Sequence, residues 1–85
     1  MATIFIVDDG QVIGEMLSLV LENKGFHTVT CMDGLRAVDV PHGQAGLILL
    51  DVMLPGLDGT EVARRIRQTS NVPRLNLYSR FSLRR

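Results

Sequence analysis

"LILLDVMLPGLDG", residues 47–59, is an oily run that stops on a carboxylate. Residues 47–50 are all aliphatic and lead straight into Asp51. A Pro55–Gly56 turn follows, and Asp58–Gly59 opens the next segment. A short apolar run bounded by turn residues reads as a strand buried on both faces, as central strands of parallel sheets are. That strand is expected over residues 46–50. The question it raises is why so oily a strand ends on one acid, with a second acid, Asp58, seven residues further on.

Downstream, "GTEVARRIRQTS", residues 59–70, reads as a helix with Val62, Ala63 and Ile66 facing inward and Thr60 or Asp58 as its cap. "PRLNLY", residues 73–78, is a weaker fourth strand in which Leu75 and Leu77 alternate with polar residues. Upstream, "TIFIV", residues 3–7, is a buried strand rich in β-branched residues. Residues 11–24 put Val12, Ile13, Met16, Leu17, Val20 and Leu21 on one apolar stripe at helical period, and Gly25 ends that helix in the left-handed conformation. "FHTVTCM", residues 26–32, alternates and reads as the second strand. "DGLRAVDV", residues 33–40, is a short helix that Pro41 and Gly43 stop. Strand and helix thus alternate from end to end, which specifies an α/β fold with a mainly parallel sheet and right-handed crossovers that place helices on both faces.

The bulk numbers agree with one small globular domain: 85 residues, 46% hydrophobic and 21% charged. A single cysteine, Cys31, excludes an intramolecular disulfide framework and a multi-cysteine metal site, and reads as a packed thiol. The start "MATIFIVDDG" has no basic flank for a signal peptide, and no stretch approaches the ~20 apolar residues of a membrane span. A soluble, cytoplasmic protein with no membrane association is expected. Net charge is zero but sorted. All nine acids lie in residues 1–63 against only Lys24 and Arg36, while residues 64–85 hold seven arginines and no acid. The arginines read as a solvated helix face (Arg64, Arg65, Arg67) and an irregular end rather than a nucleic-acid surface.

In open parallel sheets, ligands bind beyond the carboxyl ends of the strands. The first strand ends in Asp8 and Asp9, and the third in Asp51. If the two strands are neighbours, three carboxylates meet at one edge. Crowded carboxylates repel unless a cation intervenes. Magnesium, a hard cation with oxygen ligands, typically takes one or two carboxylates and keeps several waters. An acid beside such a cation is also placed to act as a nucleophile toward phosphorus. The competing reading makes Asp8 and Asp9 caps of the helix that starts near residue 11.

"IFIVDD", "LILLDVMLPGLDG" and "GTEVARRIR" closely resemble the receiver domain of bacterial two-component response regulators, and the "LPGLDG" form is most similar to receivers of the winged-helix transcription-factor subfamily. The resemblance covers residues 3–73. It implies a flavodoxin-like fold with strand order 2-1-3-4-5 and a signalling domain, not an enzyme, that takes a phosphoryl group from a histidine kinase onto Asp51. Asp9 is similar to the direct magnesium ligand, Asp8 to the acid beside it, and Met53 to the residue that offers its backbone carbonyl to the metal. Pro55 and Gly56 shape the loop, and Asp58–Gly59 start the following helix. The family's switch hydroxyl falls on Tyr78, with Ser79 one place late. The family's phosphate-reading lysine has no counterpart, since the only lysine, Lys24, lies at the far end of the first helix. Nucleic-acid binding would belong to an output domain outside this chain.

Other chemistries fit less well. A haloacid-dehalogenase-type phosphatase needs a second acid two residues after the nucleophile, where Met53 stands. "VDDGQVIG" would aim two acids at a phosphate in a glycine-rich loop, and a flavin binder would want hydroxyl and glycine residues in place of "DDG".

Residues 74–85, "RLNLYSRFSLRR", resemble nothing in that family. The expectation is therefore a partial receiver over residues 1–73, lacking the fifth strand and last two helices, and a non-family strand and tail over residues 74–85, out of frame or engineered. An open edge on the fourth strand and an uncovered sheet face beside the first would favour a homodimer, a strand exchange or a poorly stable monomer. Loss of one charge-stabilising group typically costs ~3–4 kcal/mol of transition-state stabilisation, so phosphorylation should be weak or short-lived, and switching lost. The alternative function is a non-catalytic dimerisation or interaction module on the same framework.

Overall fold

The computed structural model describes residues 2–39, 45–54 and 57–79. Its elements run β1 (Thr3–Val7), α1 (Gln11–Asn23), β2 (His27–Cys31), α2 (Gly34–Asp39), β3 (Ala45–Asp51), α3 (Gly59–Thr69) and β4 (Arg74–Tyr78). The four strands form one parallel sheet in the order β2-β1-β3-β4. The expected halt of α2 at Pro41 and Gly43, the Pro55–Gly56 turn and residues 80–85 lie outside the described residues. No described helix is long and apolar enough to cross a membrane.

Strand alternation sorts the side chains. Phe5, Val7, Ile48 and Leu50 point to one face and bury with Ala37, Leu54, Val62, Ile66 and Val72 under α2 and α3. Each such fully buried aliphatic contributes roughly 1.5–3 kcal/mol. Cys31 packs against this cluster, and its thiol donates to the Asp33 carbonyl oxygen at 3.3 Å. Ile4 and Ile6 point to the opposite face, which carries α1, and are also buried.

Helix α1 departs from expectation. Of its six stripe residues, Ile13, Leu17 and Leu21 are half-buried, whereas Val12, Met16 and Val20 are exposed, as is Leu19. The helix packs chiefly over β2 and β1. Its Ser18 hydroxyl hydrogen-bonds that of Thr28 on β2, and a Cβ on Gly14 would meet the Thr30 methyl at 4.0 Å, an ordinary contact. The α1-side residues of β3, Leu47 and Leu49, stay half-buried. The helix ends as read: Gly25 has φ 95°, its N–H donates to Glu22, and that of Phe26 donates back to Leu21. That pair of bonds is a Schellman motif, which satisfies carbonyls the last turn would otherwise leave bare.

Of the two candidate caps of α3, the structure uses Asp58. Its carboxylate accepts from the backbone N–H groups of Thr60 and Glu61, and the Thr60 hydroxyl donates to it as well. The three arginines of α3 form a solvated helix face: Arg64 and Arg65 both pair with Glu61, and Arg67 donates to the Val72 carbonyl at 2.6 Å. Hydrogen bonds from Arg64 and then Arg65 hold Glu61 down to about 2, from an ordinary 4.5. A depressed carboxylate contributes stability above its unfolded value and loses it as pH falls through the folded one. The first turn of α3 is therefore expected to loosen between pH 4.5 and about 2. Amide exchange of Thr60 to Arg65 measured across that window checks this. An equal acid response in Glu61→Gln would refute the assignment.

Candidate functional site

Because β1 and β3 pair with Val7 opposite Leu50, the next residue of each strand, Asp8 and Asp51, falls side by side at the carboxyl edge of the sheet. Asp9 follows one step along the turn. One carboxylate oxygen from each of Asp8, Asp9 and Asp51 lies within 4.8 Å of the other two. Asp51 is 0% and Asp8 2% exposed, while Asp9 is half-buried. Asp58 is not one of this group. The opening question thus has two answers, with one acid closing a strand inside a cluster and the other capping the next helix.

Capping does not account for Asp8 and Asp9. The N-cap of α1 is Gly10, with no side-chain bond to the helix. Asp8 is instead held from both sides: the Gly10 N–H donates to Oδ1 at 2.7 Å, and the Tyr78 phenol donates to Oδ2 at 2.5 Å. Asp51 accepts the Met53 N–H on Oδ1 at 3.1 Å. The Met53 side chain is exposed, and Ser79 is half-buried one residue past β4. Lys24, at the C-cap of α1, sits at the end of that helix remote from the acids.

The chemistry of Asp58 differs from that of the cluster. Its carboxyl is held below the usual aspartate range, first by the Thr60 hydroxyl and then by the N–H groups of Glu61 and Thr60. It stays ionised at the positive end of α3, where an anion is favoured.

Two contacts went unseen in the sequence. One is the reach of Tyr78 to Asp8 across the middle strand. The other is the seat of Gly59. A Cβ on Gly59 would lie 2.3 Å from the Asp51 carbonyl oxygen and 2.6 Å from the Val52 Cα, and the Gly59 N–H donates to Val52 at 3.0 Å. The start of α3 therefore rests directly on the backbone that carries Asp51. The only signal of this in the sequence is the glycine after Asp58.

Known proteins resemble this chain in sequence and fold. The family described as "Response regulator receiver domain" matches residues 4–82, a span that includes β4 and runs beyond residue 73. The chain is 38% identical over 79 residues to the transcriptional regulatory protein YrkP of Bacillus subtilis, covering 93% of this chain and 34% of that protein. It is 44% identical over 71 residues to the DNA-binding response regulator MtrA of Mycobacterium tuberculosis, covering 82% of this chain and 31% of that protein. It thus spans about a third of the length of these relatives. Among solved structures it is similar to the response regulator TrrA of Thermotoga maritima. In complex with the histidine kinase ThkA, TrrA gives a TM-score of 0.84 at 32% identity, covering 95% of this chain and 71% of that one. In complex with Mg(2+)-BeF it gives 0.78 at 32% identity, covering 91% and 66%. The strand order, the acids at adjoining strand ends and the family match lead to one assignment: this chain belongs to the receiver domains of two-component response regulators.

Proposed function

We propose that Asp51 accepts a phosphoryl group from a histidine kinase, beside a magnesium ion held by Asp8, Asp9, Asp51 and the backbone carbonyl of Met53. The observation that carries this reading is the gathering of three carboxylates within 4.8 Å at the ends of two neighbouring strands, two of them buried. Such a donor set is all oxygen and suits a hard divalent cation. Further support comes from TrrA, which has been seen with a histidine kinase and with Mg(2+)-BeF.

Bound there, the ion would screen the repulsion between the carboxylates and the phosphoryl oxygens. The remaining work falls to the chain. An Asp51 carboxylate oxygen attacks phosphorus, the phosphorus–nitrogen bond of the phosphohistidine breaks, and an acyl phosphate forms while the imidazole keeps the electron pair. The Met53 N–H restrains Oδ1 of the attacking group, which reduces the orientation to be lost on reaction. Lys24, at the far end of α1, takes no part in this step. Incubation with acetyl phosphate and Mg2+, followed by intact-mass measurement, tests the reading. One added phosphoryl group is expected, and EDTA present from the start of the incubation should prevent its addition. No mass gain at any Mg2+ concentration would overturn the proposal.

A second reading, a non-catalytic interaction module, draws on one observation. Val12, Met16, Leu19 and Val20 form an exposed apolar surface on α1, with Val12 at 76% and Leu19 at 61%. Contiguous apolar surface of this kind marks an interaction site more often than isolated exposed residues do. Self-association through it should appear as a concentration-dependent sedimentation coefficient that Leu19→Glu suppresses. A monomer at every concentration would remove this second reading.

A further inference from the structure

Tyr78 closes β4 opposite Asp51, and the Val52 N–H donates to its carbonyl at 2.9 Å. Paired residues of parallel strands share a face, so Tyr78, Asp51 and Asp8 form one row across β4, β3 and β1. From the end of that row the phenol passes the phosphoacceptor and donates to Asp8 Oδ2 at 2.5 Å. Asp8 Oδ1 already accepts from Gly10, so each oxygen of this buried carboxylate has a donor. A carboxylate held at both oxygens cannot turn about its Cβ–Cγ bond without breaking one of them.

We propose that Tyr78 is a positioning residue of the cation site, whose phenol fixes the Asp8 carboxylate in the orientation that a divalent cation requires. The proposal rests on the reading of the acid cluster as that site, and it goes further by giving the end of β4 a part in cation affinity. Groups that hydrogen-bond a metal's ligands fix their direction, and their loss typically lowers affinity about 10–100-fold. A carboxylate oxygen has two lone-pair directions, so a hydrogen bond from Tyr78 and a bond to a cation can coexist. The same contact joins the position of β4 to the loading of the site, because β4 cannot shift away from β3 without pulling the phenol from Asp8.

Calorimetric titration with Mg2+ of the wild-type chain and of Tyr78→Phe, both below their melting temperatures, tests this. Wild-type binding with about tenfold weaker binding by Tyr78→Phe supports the proposal. Equal or tighter binding by the variant overturns it, the latter because the phenol would then be competing with the cation. No binding by the wild type overturns the cation reading itself, and this proposal with it. A purely structural phenol would lower the metal-free melting temperature and leave the affinity unchanged. One further measurement needs no variant. Tyr78 is the only tyrosine and there is no tryptophan, so intrinsic fluorescence reports this residue alone. The signal is expected to change along the Mg2+ titration with the calorimetric midpoint, and a flat signal through saturation overturns the proposal.

Discussion

Asp51→Asn is expected to abolish phosphoryl labelling while the chain stays folded. The two side chains are nearly the same size, so the packing of a residue with no solvent exposure is kept. What is lost is the anionic oxygen, because an amide is a poor nucleophile toward phosphorus. One of three crowded negative charges is removed as well, which relieves repulsion at the edge of the sheet. The metal-free melting temperature should therefore hold or rise even as labelling falls to background. That pairing of outcomes separates loss of chemistry from loss of fold. Intact mass after acetyl phosphate treatment, read beside a thermal melt, gives both at once. Labelling that survives in Asp51→Asn would transfer the acceptor role to a neighbouring acid.

Gly59→Ala should produce the largest loss of stability among conservative substitutions near the site. The added methyl would stand 2.3 Å from the Asp51 carbonyl oxygen and 2.6 Å from the Val52 Cα, both backbone atoms that cannot turn aside. Helix α3 must then lift off β3 and strain the Gly59–Val52 hydrogen bond. Overpacking of this kind typically costs about 1–3 kcal/mol. In a domain this small each kcal/mol shifts the melting temperature by roughly 4–8 °C, so a drop of about 10 °C or more is expected. Labelling of Asp51 should fall as well, because the displaced backbone carries the proposed acceptor. Gly34→Ala is the control. Its methyl meets the Val62 side chain at 2.8 Å and that of Leu54 at 3.3 Å, so buried side chains must shift, but no backbone atom stands as close as at Gly59, and a smaller loss is expected. A melting temperature for Gly59→Ala equal to that of the wild type would mean that the tight seat does not hold in solution.

Much of the fold is local and was legible in the order of residues. The aliphatic runs ending at Val7 and at Leu50 specify buried strands, because few other elements are so apolar, short and bounded by turns. Gly25 marks the end of α1 because an L side chain is strained at φ 95°. The acids at two strand ends could be named as a cluster because a parallel sheet brings its carboxyl ends to one edge. Choices that depend on neighbours were not legible. Asp58 and Thr60 are both candidate caps on paper, and the folded backbone selects Asp58, which is extended while Thr60 already lies inside the helix. The α1 stripe has helical periodicity along its whole length, yet periodicity does not say how wide the supporting surface is, and the helix lies chiefly over two strands.

The sequence by itself determined the elements, their alternation and the sheet edge where Asp8, Asp9 and Asp51 lie, since each rests on side-chain period and turn chemistry within a few positions. Tertiary structure alone decided that a phenol 70 residues away grips Asp8 and that Gly59 sits against the backbone of Asp51. The first follows from strand register, which brings Tyr78 level with Asp51, and the second from how α3 docks on the end of β3; neither leaves a periodic trace in the sequence.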